Sequence, residues 1–292
     1  EGSVAQEIVG PVYRAGIQWI VTDEAILEKS LGINLARDEN GIPANPEQLY
    51  RPYQVAERED QPVAILFRDT QLSNKVSFDY SQIETQAAID DFIGRIHAIR
   101  DSLKNQEGGP FLLTVILDGE NAWEWYDNDG KDFLNGIYSR LNSDATLKMV
   151  TPSEFLSLNT SELTLIPTLF AGSWDGGDFK TWIGEPEENK GWNYLGIARA
   201  TLEEYVRGNK KGQTSEKQLA KATEAILAAE GSDWFWWFGS DKDSGNDPAF
   251  DAQFRETLGQ MYDALDLQRP DYLSVPVIYA APIEPDKSLE GV

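Results

Sequence analysis

Four short runs of the chain are continuously apolar and rich in β-branched residues: Ile17 to Thr22 (IQWIVT), Pro62 to Phe67 (PVAILF), Phe111 to Leu117 (FLLTVIL) and Ala145 to Val150. Runs without polar alternation suit strands covered on both faces, as in a parallel sheet. Between them the period changes to that of helices. Ser81 to Glu84 (SQIE) has the capping-box pattern, followed by a stripe at Ile89, Phe92, Ile93, Ile96 and Leu103. Phe133, Leu134, Ile137 and Leu141 mark a helix after Gly130. Thr151 to Glu154 (TPSE) is a second box, with Pro152 at the favoured first helical position. Ser215 to Gln218 opens a helix through Leu219, Ala222, Ile226 and Ala229, and Asp251 to Leu267 reads as one more. Strands and helices therefore alternate over residues 1–150, which predicts an α/β parallel sheet or barrel. Residues 151–282 read as mainly helical, with a polar loop at Asp241 to Pro248, and residues 283–292 as a frayed tail.

Composition narrows the chemistry. The 292 residues hold 25 Lys plus Arg against 49 Asp plus Glu, a net charge of −24. Such an excess repels phosphate backbones and anionic head groups, so nucleic acid is not expected as a partner, whereas a neutral polymer such as a sugar is compatible. There is no Cys and one histidine, His97. Thiolate chemistry is excluded, and neither a His-based metal site nor any other cofactor is expected. His97 lies beside the apolar stripe of its helix and reads as an ordinary helix residue. The spacing of Asp127, Asp129 and Gly130 matches part of a calcium loop, but the 12-residue pattern fails elsewhere. Asn159 to Ser161 is a glycosylation triplet of a kind common by chance. No apolar run approaches the roughly 18 residues of a membrane span. The chain opens with Glu1 and reads as a piece of a longer protein.

Two residue types stand out: acids after expected strands, and tryptophans. Asp69 follows PVAILF; Asp118 and Glu120 follow FLLTVIL. In parallel α/β folds the carboxyl ends of strands hold the active site, and two strands delivering acids to one rim suit carboxylate chemistry. The alternative is that these acids cap the helices that follow. The nine tryptophans cluster in polar, Gly-rich settings: Trp123 and Trp125; Trp174 and Trp182; Trp234, Trp236 and Trp237. Indole faces stack on sugar C–H faces while Asp, Glu and Asn bind hydroxyls, so the mixture is that of a glycan site. Core packing is the competing reading, favoured for at least half of the run Trp234 to Phe238. Trp174, between Gly172 and Gly176, is the best candidate for a sugar platform.

Six ordered blocks carry a family resemblance: EGSVAQEI from Glu1, AGIQWIVTDEAIL from Ala15, LFRDTQLSNKVSF from Leu66, LDGENAWEWYDNDGKDFL from Leu117, GSWDGGDFKTWIGEPEENKGW from Gly172 and EGSDWFWWFGSD from Glu230. Over Glu1 to about Pro276 the chain resembles glycoside hydrolase family 57, most closely its amylopullulanase and α-amylase-like branch. The resemblance implies part of a distorted (β/α)7 barrel, lacking its first strands, followed by a helical region. It implies retaining hydrolysis of α-glucans, with Glu1 as nucleophile and Asp69 as acid/base. It also implies a sugar site that includes Phe67, Arg68, Asp118, Glu120, Trp123, Trp174, Asp233 and Trp234. Two departures are visible. The family's His-x-Pro motif on the first strand is absent, and Ser240-Asp-Lys242-Asp stands where members often carry a His.

Such a mechanism needs two carboxyls about 5–5.5 Å apart, one ionised and one carrying a proton. Strand alternation should turn Arg68 away from Asp69. The chain by itself is expected to be inactive. A 4-α-glucanotransferase would use the same two carboxylates with a sugar hydroxyl as acceptor; a non-catalytic glucan-binding protein would keep only the aromatic platform.

Overall fold

The computed structural model describes residues 1–57, 60–119, 122–159, 163–208 and 214–278. Glu120, most of the triplet from Asn159 and the expected tail at 283–292 lie outside the described residues. The chain forms two units, residues 1–179 and 180–292.

In the first unit the run PVAILF becomes β3 (Pro62–Arg68), the centre of a three-stranded sheet. Val63, Ile65, Leu66 and Phe67 are all buried, as expected for a strand covered on both faces. β1 (Trp19–Asp23) runs parallel to β3, with Thr22 opposite Phe67 and Asp23 opposite Arg68. The other neighbour, β2 (Tyr53–Ala56), is antiparallel and is not among the strands expected from the sequence. Its apolar signal is short, with Tyr53 and Val55 buried and Gln54 between them.

The helices of this unit are α1 (Val9–Arg14), α2 (Glu24–Leu31), α3 (Pro46–Leu49), α4 (Thr70–Asn74), α5 (Thr85–Leu103), α6 (Lys131–Ser143) and α7 (Pro152–Leu158). α5 buries the expected stripe, but its cap is Glu84, whose side chain accepts from the Ala87 amide. The box at Ser81 is not formed; Ser81 lies in a 3₁₀ turn that follows a π-helical turn at Lys75–Asp79. α7 has the predicted reciprocal box between Thr151 and Glu154.

Two expected strands are corrected. Phe111 to Leu117 makes isolated hydrogen bonds rather than a ladder: the Leu112 amide donates to the Tyr50 carbonyl, and the Asp69 amide to that of Thr114. Its other bonds go to side chains, the Ile116 amide donating to the Ser73 hydroxyl and the Ile116 carbonyl accepting from Arg68, so its backbone groups are satisfied singly and form no ladder. Ala145 to Val150 is a turn and coil; Thr146 is drawn onto Asp144 Oδ1 through both its amide and its hydroxyl.

The second unit is helical: α8 (Pro186–Gly208), α9 (Glu216–Ala229), α10 (Ser232–Trp237) and α11 (Asp247–Ala264). The 23-residue α8 was not expected, because polar residues interrupt its stripe. The predicted box at Ser215 forms, and the helix expected from Asp251 begins four residues earlier, with Pro248 in its first turn. Phe235, Phe238, Phe254, Leu258 and Met261 form the centre of its core. No helix among the described residues is long and apolar enough to cross a membrane.

Candidate active site

The parallel pairing of β1 and β3 brings their carboxyl ends together, and each strand ends on charged residues: Asp23 closes β1 and Glu24 follows it, Arg68 closes β3 and Asp69 follows it. Asp23 Oδ1 accepts the Ala25 amide and Asp69 Oδ1 the Leu72 amide, so both acids cap the helices that follow. Capping uses only one oxygen of each. The Oδ2 atoms join two networks.

In the first, Arg68 Nε donates to Asp23 Oδ2 at 2.7 Å, and the Thr70 hydroxyl donates to the same oxygen at 2.7 Å. The Arg68 guanidinium lies 4.7 Å from the centre of the Trp174 ring. Arg68 thus turns from Asp69, as strand alternation requires, and stays buried through a fully paired charge.

In the second, Asp69 is 1% exposed and its Oδ2 accepts the Tyr50 hydroxyl at 2.6 Å and Arg37 Nη1 at 3.2 Å. Arg37 also donates through Nε and Nη2 to the Glu24 carboxylate. Burial pushes Glu24 above its ordinary value; Arg37 opposes that and the Asp69 charge adds to it. Burial works against the charge of Arg37, but Asp69 and Glu24 outweigh it and raise its pKa further. Burial, then the charge of Asp69, raises the Tyr50 phenol, which keeps it a proton donor to that carboxylate.

The opening segment reaches the same strand ends. Val4 and Gly172 exchange two backbone hydrogen bonds, the Trp174 amide donates to the Glu1 carbonyl at 3.1 Å, and the Thr22 hydroxyl donates to the Gly2 carbonyl at 2.6 Å. Gly2 has φ +57°, and a Cβ there would meet the Trp174 ring at 2.6 Å. Only glycine fits both demands. Asp118 Oδ1 lies 4.0 Å from the Glu1 backbone nitrogen. The Ile116 amide donates to the Ser73 hydroxyl, so the segment before Asp118 passes α4.

Glu1, Arg68, Asp118 and Trp174 are therefore linked by contacts around one end of the sheet, while Asp69, next to Arg68 in the chain, turns into the separate network of Tyr50, Arg37 and Glu24. The other expected residues are placed differently. Phe67 is a core residue, edge-on to Tyr53 at 5.8 Å, and offers no free face to a ligand. Trp123 is half-buried against Gly130 and Tyr126. In the second unit, Trp234 donates its indole N–H to the Ala228 carbonyl and packs on Phe250 and Phe254, while Asp233 is exposed in the first turn of α10. Trp182 is buried against Trp236, itself only half-buried. Asp23, Glu24, Arg37 and Tyr50 are not among the residues expected from the sequence. The signal for the first two was present: they follow an apolar strand, as Asp69 does. Among the described residues no group of three or more His, Cys, Asp or Glu side chains could hold a metal ion.

Acids and their partners gathered at the carboxyl ends of parallel strands give the chain the arrangement of the α/β class, whose sites commonly lie at strand ends. Within that class it belongs to glycosyl hydrolase family 57, whose family model matches residues 1–167. Its fold is similar to the crystal structure of a GH57-type branching enzyme from the hyperthermophilic archaeon Pyrococcus horikoshii, at 17% identity and a TM-score of 0.67 over 95% of this chain and 59% of that one. It is also similar to the α-amylase AmyC from Thermotoga maritima (16% identity, TM-score 0.63, 94% and 61%). A third similar structure is the 4-alpha-glucanotransferase from Thermococcus litoralis (17%, TM-score 0.54, 92% and 41%). The chain spans less than two thirds of each of these solved chains. No curated protein matches it.

Proposed function

We propose that the chain is part of a retaining glycoside hydrolase of the amylopullulanase and α-amylase-like branch, acting on starch-like α-glucans. On this reading the sheet belongs to the family's distorted (β/α)7 barrel. Glu1 attacks the anomeric carbon and forms a glycosyl ester; Asp69 protonates the leaving oxygen and then deprotonates the attacking water. Asp118 and Trp174 bind the sugar, by hydroxyl contacts and by the part of the indole left open beside Arg68. The observation that carries the reading is the chain of contacts from Glu1 through Trp174 and Arg68 to the strand end that bears Asp69. The branching enzyme and glucanotransferase among the similar folds favour a second reading, in which a sugar hydroxyl replaces water as acceptor.

The test uses the longest natural polypeptide that carries this chain. Glu1→Gln should abolish turnover of starch, since an amide cannot form the ester. Asp69→Asn should lower it by about 10²- to 10⁴-fold, with partial rescue by azide or an activated leaving group. Undiminished starch hydrolysis by Asp69→Asn would overturn the assignment. Products longer than the starting maltooligosaccharide would select the transferase reading.

A further inference from the structure

We infer that Arg37 is a positioning residue that ties Asp69 to a second, partly buried acid, Glu24, so that the two carboxylates at these strand ends behave as one unit. The catalytic consequence rests on the reading of Asp69 given above; the coupling itself does not.

The geometry uses every nitrogen of one guanidinium. Arg37 Nη1 donates to Asp69 Oδ2 at 3.2 Å and to the Gly41 carbonyl at 2.7 Å, while Nε and Nη2 fork onto the two oxygens of Glu24. Side-chain exposure is 14% for Arg37, 16% for Glu24 and 1% for Asp69, so water screens the three charges poorly. Glu24 is not free to swing away, because the Thr70 amide at the start of α4 donates to its Oε2 at 3.2 Å. The charged and titratable groups facing this cluster are Asp23 and Arg68 at the strand ends, Tyr50 after α3, and Arg95 of α5, which lines a small recess with Arg37 and Asp69. Arg68 is committed to Asp23, and Arg95 to Asp91 and Gln71. Two carboxylates thus share one cation. When either takes up a proton, Arg37 is left to the other.

Sharing makes an unusual demand: Glu24 must respond in opposite directions to the loss of its two neighbours. Arg37 pulls the Glu24 titration down and Asp69 pushes it up. The experiment is a ¹³C NMR titration of the Glu24 carboxyl in this chain. Arg37→Gln should move its midpoint upward by about one pH unit or more, and Asp69→Asn should move it downward. Arg37→Lys keeps the charge without the fork and should return part of the shift. If Arg37→Gln does not fold, Arg37→Lys and Asp69→Asn still give the two signs. A Glu24 midpoint that stays in place, or moves the same way in both variants, overturns the coupling. In the longest natural polypeptide, Arg37→Gln should displace one limb of the pH–activity profile, with Arg37→Lys restoring part of it. An unmoved profile with the NMR shifts intact would overturn the role of Asp69 in the reaction, and leave the coupling standing.

Discussion

In residues 1–179, Asp23, Arg68 and Asp69 are no more than 5% exposed and sit at the ends of two adjacent strands. In residues 180–292 the buried acids Glu188 and Asp251 sit on helices, and the interior is aromatic: Phe235, Phe238 and Phe254 meet edge to face, and Trp192 stacks on Phe235 at 3.6 Å. Burial of charge in the first unit is tolerated because several donors converge on each carboxylate, and the same donors hold those carboxylates in fixed directions. The second unit gains its order from ring packing, where orientation is set by shape. The contrast separates two meanings of tryptophan. Trp174 rests beside a guanidinium and a glycine backbone at a strand end, whereas Trp182 and Trp234 are absorbed into packing.

The largest expected effect tests the aromatic side of the contrast. Phe254 is 0% exposed and touches Trp234, Phe235 and Phe238. Phe254→Ala should cost about 3–5 kcal/mol, because the surrounding rings cannot collapse into the space left. Urea denaturation followed by tryptophan fluorescence measures it; a loss below about 1 kcal/mol would mean that the rings repack and that shape is not what orders this unit.

Arg68→Met tests the other side. The variant keeps an apolar arm beside Trp174 and removes the charge opposite Asp23. Breaking a buried pair costs about 3–5 kcal/mol, and the lower end is expected here because the Ala25 amide and the Thr70 hydroxyl still donate to Asp23. A loss below about 1 kcal/mol would show that Arg68 matters through packing alone.

Much of this was legible in the chain. The strand–helix alternation located β1 and β3 and the acid Asp69 at the end of β3; Asp118 was singled out by the same reasoning, from a segment that forms no strand. β2, the partners of Asp69 and the identity of the buried tryptophans were not legible. Arg37 and Tyr50 lie in loops and meet Asp69 only through tertiary folding, 32 and 19 residues away along the chain. Phe111 to Leu117 has a strand's composition, but composition carries no information on whether a neighbouring edge is free. Trp182, among glycines and charges in sequence, gave no sign of its burial.

Glu188 carries the comparison into pH. It is 1% exposed, and burial, reinforced by Glu185, Asp241 and Glu187, raises its pKa above the ordinary 4.5. Below that value the carboxyl is neutral in both folded and unfolded chains. As pH rises, the unfolded chain releases its proton first, so folding loses stability until the folded-state pKa is passed. Glu188→Gln does not titrate and can still accept the Glu185 amide. Its melting temperature should match wild type near pH 4 and exceed it at pH 7. The reverse order would mean that an unrecognised partner stabilises the charge.

The smallest effects come from a feature that both units share. Thr151 Oγ1 accepts the Glu154 amide at 3.2 Å and Ser215 Oγ accepts the Gln218 amide at 3.3 Å, and in each box the side chain three residues on returns a bond to the cap amide. Both caps are exposed, so neither contributes buried area, and what each supplies is one satisfied donor of a helix end. Thr151→Ala and Ser215→Ala should therefore each cost about 1 kcal/mol, read as a shift in urea midpoint with an unchanged slope. The cost should be alike in the two units despite their different interiors, since a cap acts on its own first turn. If Ser215→Ala were near neutral while Thr151→Ala cost the full amount, α9 would owe its position to the aromatic core alone, and the contrast between the units would reach down to their helix ends.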